Sequence, residues 1–346
     1  QTDTGHPYSE LLRQRFMSRK FPTATEFIEG ILAGNRMLLS RAITLIESTK
    51  KEHQDLAQEI IEGCLPHSGN SVRIGITGVP GVGKSTFIEA FGNYIIEEEN
   101  RSLAVLAVDP SSSKTRGSIL GDKTRMETLS NHPKAYIRPT PTSGSLGGVA
   151  RSTRETITLC EAAGFNTIFI ETVGVGQSET AVHSMVDFFL LLMLAGAGDE
   201  LQGIKRGIME MADAIAINKA DSGNEAAAKR AMSEYKNALH LFPPTESGWI
   251  PKVATCSAFH NKRIAEIWEI VDEFVRHTKT KGFFEKKRKE QANYWLDEAI
   301  NQELHRAFYD DPGLKKKLAA FRKQVQEEEI SSYKAARDLM REFLGK

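Results

Sequence analysis

One short run constrains this chain more than any other: Gly78-Val79-Pro80-Gly81-Val82-Gly83-Lys84-Ser85-Thr86. It has the form GxxxxGK[ST], and its flanks are those the pattern requires. An apolar, β-rich run, Val72–Thr77, precedes it, and the helix-like Phe87-Ile88-Glu89-Ala90-Phe91 follows. The glycines permit a tight backbone that turns amide N–H groups inward, and the positive end of the following helix adds to that anion site. A nucleoside triphosphate is the expected ligand. Lys84 is expected to pair β- and γ-phosphate oxygens, with Ser85 Oγ on Mg²⁺.

The rest of the chain agrees with the fold that this unit needs. Further short β-rich runs follow at Leu103–Val108, Ala135–Arg138, Thr167–Glu171, Asp187–Leu194, Ala214–Asn218 and Lys252–Cys256. Several are apolar nearly throughout, as strands buried on both faces are, and helical segments alternate with them. The expected class is α/β, a P-loop NTPase with a mostly parallel sheet flanked by helices. Residues 71–281 form that core.

Residues 1–70 read as a helical segment. Leu11, Leu12 and Phe16 recur at helical spacing, as do Ile31, Met37, Leu38, Ile43 and Ile46, with breaks at Pro22 and Gly34. Residues 282–346 read as a helical hairpin. Leu296, Ile300 and Leu304 lie four apart, Asp310-Asp311-Pro312-Gly313 interrupts, and Leu314, Leu318, Phe321 and Val325 resume. A helical arm with such an apolar row is expected to serve as a dimerisation arm, although packing on its own core fits the same pattern.

Composition removes several function classes. The 45 basic and 45 acidic side chains give a formal net charge of +0, so no nucleic acid or anionic membrane surface is expected as partner. The run Lys286-Lys287-Arg288-Lys289, between Glu285 and Glu290, reads as a solvated helix face. Cys64, Cys160 and Cys256 are far apart and form no CxxC pair, which fits a reducing compartment. The longest dense apolar run, Phe188 to Ala195, is far short of the roughly 20 residues that span a bilayer. The chain begins at Gln1, and a preceding segment is expected to have been removed.

Base identity is expected from Asn218-Lys219-Ala220-Asp221 at the end of a strand. The Asp221 carboxylate suits guanine N1–H and N2–H₂, the Lys219 stem suits the base plane, and Asn218 suits bracing of the loop. Adenine would leave the carboxylate without donors, which discriminates by roughly 10⁴. Ser257 and Ala258 end the last strand. They read either as amide donors to guanine O6 or as an ordinary strand-to-loop junction.

Carboxylates at strand ends are the candidates for the metal shell, because ligands of open α/β sheets sit there. They are Asp109, Asp122 and Glu171. The first two also suit turn formation or helix capping. Glu171-Thr172-Val173-Gly174 has the DxxG form with glutamate in place of aspartate. It suits an outer contact to Mg²⁺ or orientation of the attacking water, with Gly174 N–H sensing the γ-phosphate. Gln177 lies three residues further on and is not assigned the water. The glycine-rich, charged stretch Gly196–Gly207 is a third switch candidate.

Together with the phosphate loop, the segments VDPSSSKTRGSILGDKTRM, ETVGVGQSE and MLAGAGDELQGIKRGIMEMADAIAINKAD and the helical tail resemble the methylmalonyl-CoA mutase-associated GTPases, among the metallochaperone-like P-loop GTPases. The resemblance covers nearly the whole chain. It implies GTP/GDP and Mg²⁺ as cofactors, slow hydrolysis of GTP stimulated by a partner, and a homodimer. It also implies binding to the adenosylcobalamin-dependent methylmalonyl-CoA mutase. Hydrolysis would then gate adenosylcobalamin loading and protect or reactivate the mutase. By motif match Lys84, Ser85, Asp109, Asp122 and Glu171 fall on the family's phosphate and Mg²⁺ site. Lys205, with Gln202, falls in a loop that responds to the mutase, where Lys205 supplies catalytic charge. A mitochondrial-matrix location is likewise implied. Two other functions fit a P-loop of this kind: delivery of a metal to another enzyme, and a small-molecule kinase. Metal delivery calls for clustered soft ligands, whereas the nine histidines form no tract and the cysteines are dispersed. A kinase needs no guanine reader.

Overall fold

The computed structural model describes residues 21–108, 126–140, 146–172, 178–196, 206–221 and 223–345. These divide into two compact units, with the boundary between Lys281 and Gly282.

The first unit opens with helices α1 (Ala24–Leu32), α2 (Arg36–Ile46) and α3 (Lys51–Cys64). Thr23 caps α1 in a reciprocal box with Glu26, and Asn35 Oδ1 caps α2 through the amides of Met37 and Leu38. There follow β1 (Val72–Gly78), α4 (Lys84–Glu97), β2 (Leu103–Val108), α5 (Glu127–Asn131), β3 (Ala135–Thr140), α6 (Leu146–Ala162) and β4 (Thr167–Thr172). Next come α7 (Ser178–His183), β5 (Phe188–Leu194), α8 (Arg206–Met211), β6 (Ala214–Asn218), α9 (Glu225–Leu239), β7 (Lys252–Thr255) and α10 (Ile264–Thr280).

The seven strands form one parallel sheet in the order β3-β2-β4-β1-β5-β6-β7. The apolar runs behave as their composition dictates, for β2, β4 and β6 are buried along their whole length. Register sets the site. Ile76 pairs Glu171 and Gly78 pairs Leu192, so the ends of β1, β4 and β5 arrive together. β1 lies in the middle, at the point where the strand order reverses, which is where open α/β sheets bind ligands.

Helix α4 buries Phe87, Ile88, Phe91 and Ile95. Phe91 stacks on Phe169 of β4 with ring centroids 5.2 Å apart, fixing the helix that starts at the phosphate loop against the sheet. The N-terminal helices cover the edge strand β3. Ser40 and Tyr136 share a hydrogen bond of 3.0 Å, Arg138 of β3 binds Glu47 at 2.6 Å, and Arg36 donates to the Pro133 carbonyl.

The second unit holds α11 (Phe283–Asp310), α12 (Pro312–Gln326) and α13 (Ser332–Leu344). Sequence periodicity leads one to expect a two-helix hairpin; three helices are found. The extra break has no Gly or Pro to mark it. Glu328 turns left-handed at φ 58°, and the Ser331 hydroxyl then accepts from the Lys334 amide at 3.2 Å to start α13. Asp311 caps α12 through the amides of Gly313 and Leu314 at 2.8 and 2.9 Å. The three helices line an apolar groove of about 850 Å³ with Leu304, Phe308, Leu318, Phe321, Leu339 and Phe343. Among the described residues no helix is long and apolar enough to cross a membrane.

Candidate nucleotide site

The phosphate loop leaves β1 at Gly78 and enters α4 at Lys84. Two of its glycines are demanded by geometry. A Cβ at Gly78 would lie 2.5 Å from the Leu192 carbonyl oxygen of β5. Gly83, the residue before α4, is left-handed at φ 86°. Val79, Pro80 and Val82 fill the turn, closed by the Val82 amide on the Val79 carbonyl at 3.2 Å. Ser85 and Thr86 follow Lys84 in the first turn of α4, so the Ser85 hydroxyl and the free helix amides share one end.

Lys84 folds back over this loop, and its Nζ donates to the Gly78 carbonyl at 2.9 Å. Burial pushes its ammonium below the ordinary lysine range, while the carboxylates of Glu171 and Glu179 push it back up. Both carboxylates are buried, Glu171 at the end of β4 and Glu179 in the first turn of α7. Glu179 is a residue that sequence reasoning missed. It closes the ETVGVGQSE segment, where the sequence alone assigned it no role.

Across the sheet end, Asn218 joins three segments. Its Nδ2 donates to the Val82 carbonyl at 2.9 Å. Its Oδ1 accepts from the Ala258 amide at 3.0 Å and from the Cys256 thiol at 3.7 Å. Lys219, left-handed at φ 59°, sends its Nζ to the Gly81 carbonyl at 2.8 Å. The Ser257 hydroxyl donates to the Asp221 carboxylate, and the Ser257 amide to the Lys262 carbonyl at 3.0 Å. The Ala258 amide and the Ser257 hydroxyl therefore brace the reader loop in this structure. The Asn218 side chain ties that loop to the phosphate loop.

Gly78 to Thr86, Glu171, Asn218, Lys219, Asp221, Ser257 and Ala258 thus lie at or just beyond the carboxyl ends of the strands. Asp109, Asp122, Gly174, Gln177, Gln202 and Lys205 lie outside the described residues. Ser85 and Glu171 offer the hard oxygen donors that Mg²⁺ takes. Burial keeps the Cys256 thiol protonated, raised to about 12 with the Arg263 charge opposing.

Comparison with known proteins gives a consistent result. Residues 39–312 match the family model described as Methylmalonyl Co-A mutase-associated GTPase MeaB. A protein described as a probable GTPase from Mycobacterium tuberculosis is 48% identical over 311 residues, covering 90% of this chain and 92% of that protein. A mouse protein described as methylmalonic aciduria type A homolog, mitochondrial, is 43% identical over 340 residues, covering 95% and 80%. A crystal structure described as LAO/AO transport system kinase is 36% identical with a TM-score of 0.73, covering 93% of this chain and 98% of that one.

Proposed function

The chain belongs to the family of methylmalonyl Co-A mutase-associated GTPases, and from that premise we propose that it is a guanine-nucleotide switch read by methylmalonyl-CoA mutase. It is a P-loop GTPase, with guanine nucleotide as ligand. In this reading GTP binding and hydrolysis gate the loading of adenosylcobalamin into the mutase and protect or reactivate it.

The observation that carries the switch is Asn218. One amide spans from the base reader to the Val82 carbonyl of the phosphate loop, so base and phosphates are sensed by one rigid unit. Lys84 and the α4 N-terminus hold the phosphates, and Asp221, held by Ser257, takes the guanine edge. Ser85, Glu171, Asp109 and Asp122 would hold Mg²⁺, which would neutralise charge on the phosphates. Glu171 orients the attacking water, and Gly174 responds to the γ-phosphate. Lys205 supplies charge when the mutase is bound, which makes hydrolysis slow in the isolated protein. The apolar row of α11 supports residues 282–346 as a homodimer arm. A mitochondrial-matrix location is supported by the mouse relative's description, while close bacterial relatives show that the family is not confined there.

The test compares GTP hydrolysis by the protein alone and with the mutase, then repeats both with Lys205→Ala. The reading expects stimulation of the parent protein and little of the variant. Equal stimulation of both would remove Lys205 from the mechanism, and no stimulation of either would remove the mutase. Hydrolysis assays with ATP in parallel address the kinase reading; ATP turned over as readily as GTP would favour it.

A further inference from the structure

We propose that the buried hydroxyl pair of Thr77 and Thr172 is a positioning device for GTP hydrolysis, setting the phosphate loop and Glu171 at a fixed spacing. Thr172 Oγ1 donates to Thr77 Oγ1 at 2.8 Å, and both side chains are fully buried.

Their places in the chain are what give the pair a function. Thr77 immediately precedes Gly78, whose carbonyl holds Lys84. Thr172 immediately follows Glu171 and ends β4. Neighbouring positions in the two strands are paired Ile76 with Glu171, so the hydroxyls occupy the next layer toward the site.

Stability alone does not call for hydroxyls here. The neighbours on the same face are apolar: Ile170, two residues before Thr172, Leu191, paired with Thr77, and Val108, paired with Thr172, are all buried. Replacing both partners of a buried hydrogen bond by apolar groups of the same shape is nearly neutral for folding. Two valines would fill this volume while leaving the strand ends free to shift along each other by tenths of an ångström. A hydrogen bond is directional and fixes that offset. Hydrolysis is sensitive to it, because phosphoryl transfer depends on placement of the attacking water and of charge. The pair acts through Glu171 and the phosphate loop, and the inference rests on the water-orienting role proposed above for Glu171.

The experiment uses the full chain with Thr77→Val/Thr172→Val together, Thr172→Ser, and Glu171→Gln as reference. Thermal unfolding, GDP affinity and single-turnover GTP hydrolysis are measured for each. The double valine variant is expected to unfold and to bind GDP as the parent does, while hydrolysis slows about fivefold, the rate equivalent of one net hydrogen bond. KM for GTP stays within about twofold, as expected when only the transition-state arrangement is disturbed. Thr172→Ser, which keeps the donor, retains most of the parent rate. A parent rate in the double valine variant would overturn the proposal. So would a loss of stability and GDP affinity in step with the rate, which marks a structural role. Failure of the underlying reading looks different: Glu171→Gln would then hydrolyse GTP at the parent rate.

Discussion

Asn218 joins three segments of the site through its side chain. It is buried, and all its described partners are protein atoms: Val82, Ala258 and Cys256. Asn218→Ala strips a carbonyl and an amide of their partners at once. It is expected to cost about 1–3 kcal/mol of stability, the desolvation of the groups left unpaired. GDP affinity is expected to fall more steeply than stability, since base and phosphate loops lose the buried one of their two ties and keep only the Lys219–Gly81 bond. Thermal unfolding without nucleotide and calorimetric titration with GDP measure the two effects separately. Glu161 of α6 makes a second prediction, on stability alone. Burial pushes its carboxyl up, but Arg73, the Ser71 hydroxyl and the Gly69 amide outweigh that and hold it below the usual carboxylate range. A depressed carboxylate stabilises the fold fully above its unfolded value of about 4.3 and loses that contribution as pH falls through its folded value. Glu161→Gln should therefore lower stability at neutral pH by up to about 3 kcal/mol and flatten the acid limb below pH ~4. Unfolding midpoints across pH 3 to 7 read both effects, on the order of the stated sizes. An unchanged acid limb would show that Glu161 is not the group that titrates.

At the scale of elements, the phosphate loop depends on two kinds of glycine constraint, which substitution separates. Gly78→Ala drives a Cβ against the β5 backbone, so it should lose nucleotide binding and at least about 2 kcal/mol of stability. Gly81→Ala meets no atom within 4 Å and carries only the strain of φ 77°, about 1 kcal/mol. Equal effects in thermal unfolding would contradict the close approach of β5. All seven strands were legible in the sequence because a buried parallel sheet writes itself as apolar runs. Their ends were less so. Asp187 reads as the start of β5, yet its carboxylate accepts from the Arg73 amide at 2.8 Å, and Cys256 falls just beyond β7. The phosphate loop was legible because its chemistry is local. The hold of Asn218 on Ala258, across 40 positions, and the meeting of Thr77 with Thr172, across 95, were not. Strand order and register decide such contacts, and no local pattern encodes them. The third helix of the second unit was missed for a related reason: a left-handed glutamate leaves no compositional mark.

For the whole molecule, the two units answer different questions. The first holds the nucleotide site; the second offers an apolar helix face. Leu296, Ile300 and Leu304 recur every fourth residue of α11 and are all exposed in the single chain. A contiguous row of this kind marks an interaction surface. Ile300→Glu/Leu304→Glu is expected to convert a dimer to a monomer in sedimentation, with GDP affinity unchanged; a monomeric parent protein would dismiss the arm as a dimer contact. The central claim, that the GTPase state is read by the mutase, has a more direct test. The protein is mixed with methylmalonyl-CoA mutase and co-purified, once with GDP and once with a non-hydrolysable GTP analogue. The account predicts a complex whose recovery differs between the two nucleotides, whereas failure to associate under either nucleotide would contradict it.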